Sequence, residues 1–229
     1  MNKVKVIFLM CFIFSYSIFS QSISIGLGSG INFISGDNYY TNNLGRLGIY
    51  ENINGTTTNL EGMGLKNELQ FQLGGKYSFD NSPFSLISFF NYSPMRGSDQ
   101  ILVYDFVRMS EVPRDVTAKM DIWSFQAGVN YSLNFYAIKP FITALLSANY
   151  FDDFYIEFSE PDYKSEYRSY KNGMRYGYSV GVGIAYNISS ILNLEISGNY
   201  NDFNILHSRN GEELLNSFNV LAMFYYKLL

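Results

Sequence analysis

Along residues 65–79 of the chain, LKNELQFQLGGKYSF, apolar and polar positions alternate one by one. Leu65, Leu69, Phe71, Leu73, Tyr77 and Phe79 fall on odd positions, with Lys66, Glu68, Gln70, Gln72, Lys76 and Ser78 between them. Successive side chains of a strand point to opposite faces of a sheet, so this period predicts a strand with unlike surroundings on its two sides. Seven further runs repeat the pattern, at residues 23–33, 84–92, 122–133, 136–150, 174–186, 192–200 and 218–228. The cleanest sets Met174, Tyr176, Tyr178, Val180, Val182, Ile184 and Tyr186 against Arg175, Gly177, Ser179, Gly181, Gly183, Ala185 and Asn187. The run from Phe84 is less regular, because Ile87 and Phe89 place apolar groups on its second face. Before Ile122 the phase reverses: Val116, Ala118, Met120 and Ile122 are even, whereas Trp123, Phe125, Ala127 and Val129 are odd. That slip predicts either a β-bulge or a change of environment at Ile122. No amphipathic helix interrupts the runs.

The connections alternate as well. Short links, DNSP at 80–83, NF near 134–135 and NISS at 187–190, separate with longer ones near 36–64, 94–114, 151–173 and 202–213. In an up-and-down barrel this order puts the short turns at one rim and the long loops at the other. The predicted fold is therefore an all-β, eight-stranded antiparallel up-and-down barrel.

Which face is outside decides where such a barrel resides. The runs exceed the about 5–6 residues of an average soluble strand and reach the about 9–11 needed to cross a bilayer at a tilt. Their polar face is mostly Gly, Ser, Asn and Gln, residues suited to a narrow interior, whereas a water-facing sheet carries abundant Lys and Glu. Rings cluster at the ends of the apolar face: Tyr77, Phe79, Phe84, Tyr131, Tyr136 and Tyr186 by the short links, Tyr150, Tyr176 and Tyr200 by the long ones. Two such belts flank an apolar band at membrane interfaces. The pattern points to a transmembrane barrel, greasy outside and polar within.

Composition sharpens this picture. Only 16% of the 229 residues are charged and 18% are aromatic, against about 25% charged in a typical soluble domain. A net charge of -4 without a basic cluster after the start leaves no electrostatic footprint for nucleic acid. Residues 1–20 read as an export signal: Lys3 and Lys5, then an apolar run from Val6 to Phe14, then a small-residue stretch. The apolar run is too short to span as a helix, which takes about 18 residues. Cleavage is expected before Gln21, leaving residues 21–229 as the barrel domain. Cys11 falls within the signal, so the exported chain carries no thiol or disulfide.

In these alternating runs, their turns and their rings, the chain resembles the small eight-stranded outer-membrane β-barrel proteins of Gram-negative bacteria. The likeness covers residues 21–229 and rests on pattern; the closing stretch FNVLAMFYYKLL resembles in part the aromatic-terminated last strand of that group. The resemblance implies outer-membrane lipids as surroundings and an extracellular ligand or envelope partner met through the long loops.

Candidate chemistry is sparse. Barrels of eight strands are filled by side chains, which disfavours a wide diffusion pore. Lys66, Glu68, Lys76, Lys139, Arg175, Glu195 and Lys227 fall on the inward face and predict a salt-bridge network plugging the lumen, since buried charges need partners. A narrow ion path is the competing reading of the same residues. His207, Ser208 and Glu212 are the enzymatic candidates, because small barrels resembling the lipid A deacylases use a His, Ser and Glu near the last strands. Adjacent His207 and Ser208 would point to opposite faces of an extended strand, which argues against that trio. The acidic loop with Asp152, Asp153, Glu157, Glu160 and Asp162 lacks the regular ligand spacing of a calcium loop. No cofactor or metal motif is present. The expected role is non-enzymatic: structural, or binding through Tyr-rich loops at the cell surface. A lipid-modifying enzyme and a soluble, secreted, lipocalin-like barrel are the alternatives.

Overall fold

The computed structural model describes residues 21–35, 46–47, 50–52, 55–57, 64–66, 68–105, 108–133, 138–158, 166–169, 172–206 and 214–228. The export signal expected over residues 1–20 and the third short link at 134–137 lie outside the described residues. Eight long strands carry the fold: β1 (Gln21–Ser35), β2 (Glu68–Phe79), β3 (Phe84–Asp105), β4 (Ser110–Ser132), β5 (Ile138–Phe151), β6 (Gly173–Asn187), β7 (Leu192–Leu206) and β8 (Asn216–Lys227). Each pairs antiparallel with its neighbours in the chain. The ring closes where β8 pairs β1, from Ser24 opposite Lys227 to Ser35 opposite Asn216. Within the apolar band closure gives every strand a partner on both sides, which is what a sheet surrounded by hydrocarbon requires.

The two described short turns lie at one rim. In the first, Asn81 adopts φ 56°, a left-handed conformation that Asn tolerates better than most residues, and the Ser82 N–H donates to the Phe79 carbonyl at 3.3 Å. In the second, the Ile188 N–H donates to the Leu192 carbonyl at 2.9 Å, and the Leu192 N–H donates to Ser189 Oγ at 3.1 Å.

The side chains sort by face. Leu69, Phe71 and Val182 are 54%, 50% and 63% exposed, whereas Gln70 and Ser179 retain 3% and 1%. Oily groups therefore face outward and amides and hydroxyls face the lumen. Rings border the outer apolar band at both levels. Near the short turns Tyr77 meets Phe79 edge-on at 5.1 Å, and Phe84 lies 5.0 Å from Tyr131. At the other level Trp123 lies 4.3 Å from Tyr92 and 5.7 Å from Phe90, and Tyr178 lies 6.3 Å from Tyr200.

At Ile122 the register of β3 with β4 runs unbroken from Phe84 opposite Tyr131 to Asp105 opposite Ser110. No bulge occurs there; the environment changes instead. Even positions of β4 face inward throughout, but below Ile122 they are Ser124, Gln126 and Asn130, and above it Met120, Ala118 and Val116. Beyond the aromatic girdle the outer face meets water, so the apolar residues turn to the inside as in a soluble protein. Leu65, Met95, Ile101, Val116, Met120, Ile122, Phe151, Phe154, Ile156, Phe203 and Leu215 assemble there as a buried apolar core. Full burial of one such side chain contributes about 1.5–3 kcal/mol.

The sequence expectation of a loop from Pro94 is thereby corrected, because β3 and β4 continue as a paired hairpin to Asp105 and Ser110. The expected loop over 151–173 contains the strand Phe154–Phe158, which pairs β4, and Glu166–Ser169, which pairs Phe154–Phe158. The expected loop from Asp202 starts instead as the end of β7. An irregularity does exist, between β6 and β7: Tyr176 opposes Leu206 and Tyr178 opposes Asp202. The two extra residues on β7 let consecutive side chains Asp202, Phe203 and Asn204 all be buried. Gly177 lies beneath this bulge, where an added Cβ would meet the Asp202 carbonyl oxygen at 1.8 Å.

Replacing Leu146, 75% exposed on the outer band, by Arg should lower unfolding free energy in lipid vesicles by about 2–4 kcal/mol. Thr117→Arg, outward but beyond the girdle, should stay within about 0.5 kcal/mol of the parent; urea titration followed by tryptophan fluorescence checks both.

Candidate functional site in the barrel lumen

The lumen is built in layers. At the short-turn rim it opens as a vestibule of about 720 Å³, walled by serines and asparagines such as Ser24, Ser78, Ser85, Asn187 and Asn193. Its floor is ionic and aromatic. Lys76 Nζ reaches across to Glu195 Oε1 at 2.5 Å, with side chains only 13% and 11% exposed. The same ammonium lies 5.7 Å from the Phe141 ring centre and 5.6 Å from that of Tyr225. Above it, Ile87, Phe89, Leu145, Met223 and Tyr225 form an apolar plate. Inward glycines make room for these large groups: a Cβ at Gly26 would meet the Tyr225 ring at 2.7 Å, and one at Gly183 the Phe141 ring at 2.4 Å.

Next comes a layer of amides. Asn219 Nδ2 donates to Gln70 Oε1 at 3.0 Å, Asn199 Nδ2 donates to Asn219 Oδ1 at 2.9 Å, and Asn201 Nδ2 donates to Ser217 Oγ at 3.3 Å. Inside this layer a cavity of about 20 Å³ touches Asn130 and Thr143, whose side-chain oxygens accept no bond from the protein. The apolar core beyond the girdle caps the far end. The bulge on β7 ties cap to barrel: Asn149 Nδ2 donates to the Phe203 carbonyl at 2.6 Å, and the Leu215 N–H donates to Asn204 Oδ1 at 2.7 Å.

The seven charges of the expected lumen network are not brought together as one set. Lys76 and Glu195 pair directly. Lys139 and Lys227 line the vestibule below them. Arg175 is 1% exposed, far from that pair: its guanidinium lies 4.6 Å from the Phe151 ring centre under the cap, and Nη1 donates to the Gly173 carbonyl at 2.8 Å. Glu68 is half-buried at the upper end of β2, opposite Asn32. Lys66 is exposed and donates to the Ser98 carbonyl at 3.0 Å, outside the lumen. His207, Ser208 and Glu212 lie outside the described residues, as do Glu160 and Asp162 of the acidic loop.

On the outer side of the cap Glu157 pairs with Lys119, and Arg96 pairs with Asp121, which also accepts from the Tyr92 hydroxyl at 2.9 Å. Partial burial works against the Arg96 charge, but the hydrogen bond and charge of Asp121 outweigh it and raise the guanidinium pKa above its ordinary value. Among the described residues no group of three or more His, Cys, Asp or Glu side chains is placed to hold a metal ion.

Sequence reasoning missed the apolar plate. Its signal is present as Ile87, Phe89, Leu145, Met223 and Tyr225, apolar or aromatic residues on the otherwise polar face of β3, β5 and β8. Period alone marks them as noise; only the closed ring shows that they meet.

No protein-family model matches the sequence, and no curated protein matches it. Solved structures do. The crystal structure of Neisserial surface protein A is 12% identical over 90% of this chain and 98% of that one, with a TM-score of 0.51. Ail of Yersinia pestis, solved with the heparin analogue sucrose octasulfate, is 15% identical over 90% and 99%, with a TM-score of 0.47. The outer membrane protease OmpT of Escherichia coli is 13% identical over 91% and 96%, with a TM-score of 0.45. At such identities the likeness speaks to fold, and the chain has the fold of the small eight-stranded outer-membrane β-barrels.

Removing one partner of the lumen pair should be costly, because the other charge is left buried: Glu195→Gln should destabilise by about 3–5 kcal/mol. The double variant Lys76→Met, Glu195→Leu should recover most of that loss, as urea titrations of all three proteins in vesicles would show. The purified chain in planar bilayers should give no stepwise conductance, because apolar layers close the lumen at two levels.

Proposed function

We propose that the chain is a bacterial outer-membrane protein whose sealed barrel serves as an anchor and whose rigid extension beyond the girdle is a non-enzymatic binding surface outside the cell. The observation that carries this reading is the unbroken β3–β4 hairpin. From Pro94 to Asp105 it continues past the aromatic girdle in register with residues 110–121, about 40 Å of strand at about 3.3 Å per residue. A buried core of its own supports it. Loops that only join strands need no such core, whereas a surface that must keep its shape for a partner does.

In outer-membrane barrels short turns face the periplasm and long connections the exterior, which puts the hairpin outside and the vestibule inside. Gln21, the residue expected to follow cleavage, is also the first of β1, so a processed chain would begin where its barrel begins. The sealed lumen favours an anchor over a channel.

The only cysteine is Cys11, so introduced thiols report topology without background once the signal is removed. Met109, 74% exposed at the hairpin tip, changed to Cys should react with a membrane-impermeant maleimide on intact cells. Ser189→Cys, in an exposed short turn, should react only after permeabilisation. The opposite pattern, or recovery of the chain in a detergent-free soluble fraction, defeats the reading; altered lipid A masses on deleting the gene would replace it with the enzymatic one. Intact mass of the membrane-extracted chain should correspond to a start at Gln21.

A further inference from the structure

The charges of the vestibule are arranged on two arcs of the ring. On one, Ser24 of β1 stands in register with Lys227 of β8 and Lys76 of β2. On the other, Ala185 of β6 stands in register with Lys139 of β5 and Glu195 of β7. Lys76 crosses the lumen to Glu195 and closes the floor. One ammonium on each arc is left over: among the described residues Lys139 and Lys227 have no carboxylate partner, and both line the vestibule. Counting Asp80 at the mouth, the cup holds three ammonium groups against two carboxylates.

A structural plug does not need these two lysines. The apolar plate already closes the lumen above the floor, and like charges lining one cup repel each other. What they create is a site of positive potential at the open end of a cup with hydroxyl and amide walls. Its volume of about 720 Å³ falls within the about 300–1,000 Å³ of small-molecule sites. The walls offer little to an apolar ligand, since the Phe141 and Tyr225 rings at the floor are buried beneath the Lys76 ammonium.

We infer that the vestibule is a binding site for a small carboxylate-bearing molecule rich in amide or hydroxyl groups, held between Lys139 and Lys227. This inference rests on the proposed orientation, which opens the cup to the periplasm. The chemistry is that of a cell-wall peptide or amino-sugar acid, and equally of a free periplasmic carboxylate, and the experiment separates the two.

The test titrates muramyl dipeptide into the full chain, refolded in detergent micelles, by calorimetry. Saturable one-to-one binding that weakens as salt rises is expected. Lys139→Gln and Lys227→Gln should each weaken it about tenfold, the loss of one charge-assisted contact. Lys66→Gln, outside the lumen, should leave it unchanged. A retained gel-mobility shift between boiled and unboiled samples shows that each variant is folded. Citrate binding with the same lysine dependence, without retention of the chain on purified peptidoglycan sacculi, supports the site and assigns it to free carboxylates; retention on sacculi that Lys139→Gln abolishes assigns it to the cell wall. Absence of saturable binding of both muramyl dipeptide and citrate, parental affinity retained in the Lys139→Gln and Lys227→Gln variants, or equal binding of uncharged N-acetylglucosamine overturns the inference. Micelles impose no orientation, so a failed topology test would overturn the envelope reading while leaving this binding result to stand or fall separately.

Discussion

The pairing of β8 with β1 is the interaction on which the rest of the structure depends. In hydrocarbon an unpaired backbone N–H or C=O finds no water, and each costs several kcal/mol. A sheet with apolar residues outward can therefore persist only as a closed ring, and this chain closes with its final strand. Once the ring is closed, every side chain has a determined fate: even a single residue of slippage would exchange Leu for Gln along a whole strand.

From closure follows the layering of the interior. Eight strands leave a bore that side chains can fill, and this chain fills it unevenly. An ion pair set between two rings, an apolar plate, a shell of amides and an apolar cap succeed one another along the axis. The amide layer is specific rather than strongly stabilising, since a neutral hydrogen bond contributes only about 0.5–1.5 kcal/mol net. The apolar layers on either side close the lumen around it.

Solvent changes along the barrel, and the same strands obey two rules in succession. Below the girdle β3 and β4 present Leu86, Phe90, Phe125 and Val129 to lipid; above it they present Arg96, Lys119 and Asp121 to water and turn Met95, Met120 and Val116 inward. The strand geometry is continuous while the hydrophobic effect reverses direction. The exposed portion is thus a small soluble-type core fused onto the barrel, and its ion pairs act where partial solvation makes each of modest worth.

Residues 65–79 and 174–186 already state in sequence which side chains share a face, because a period of two leaves no other arrangement for a strand. Together with long runs, ring placement and a charge-poor composition, that alternation determined the strand count, the barrel and its inverted polarity. The stretch beyond Pro94 reads in sequence as a long connection, and the phase reversal at Ile122 looks the same whether the backbone slips or the solvent changes; only the unbroken register of β3 with β4 distinguishes them. Likewise Lys66, Lys76, Arg175 and Glu195 each fall on the polar positions of their own strand, yet only Lys76 and Glu195 meet. Parity fixes a face, whereas height along the axis and the partner across the bore depend on strand tilt and stagger, which exist only once the ring has closed. That Lys139 and Lys227 line one vestibule is a product of that closure, invisible in a chain where positions 139 and 227 are far apart.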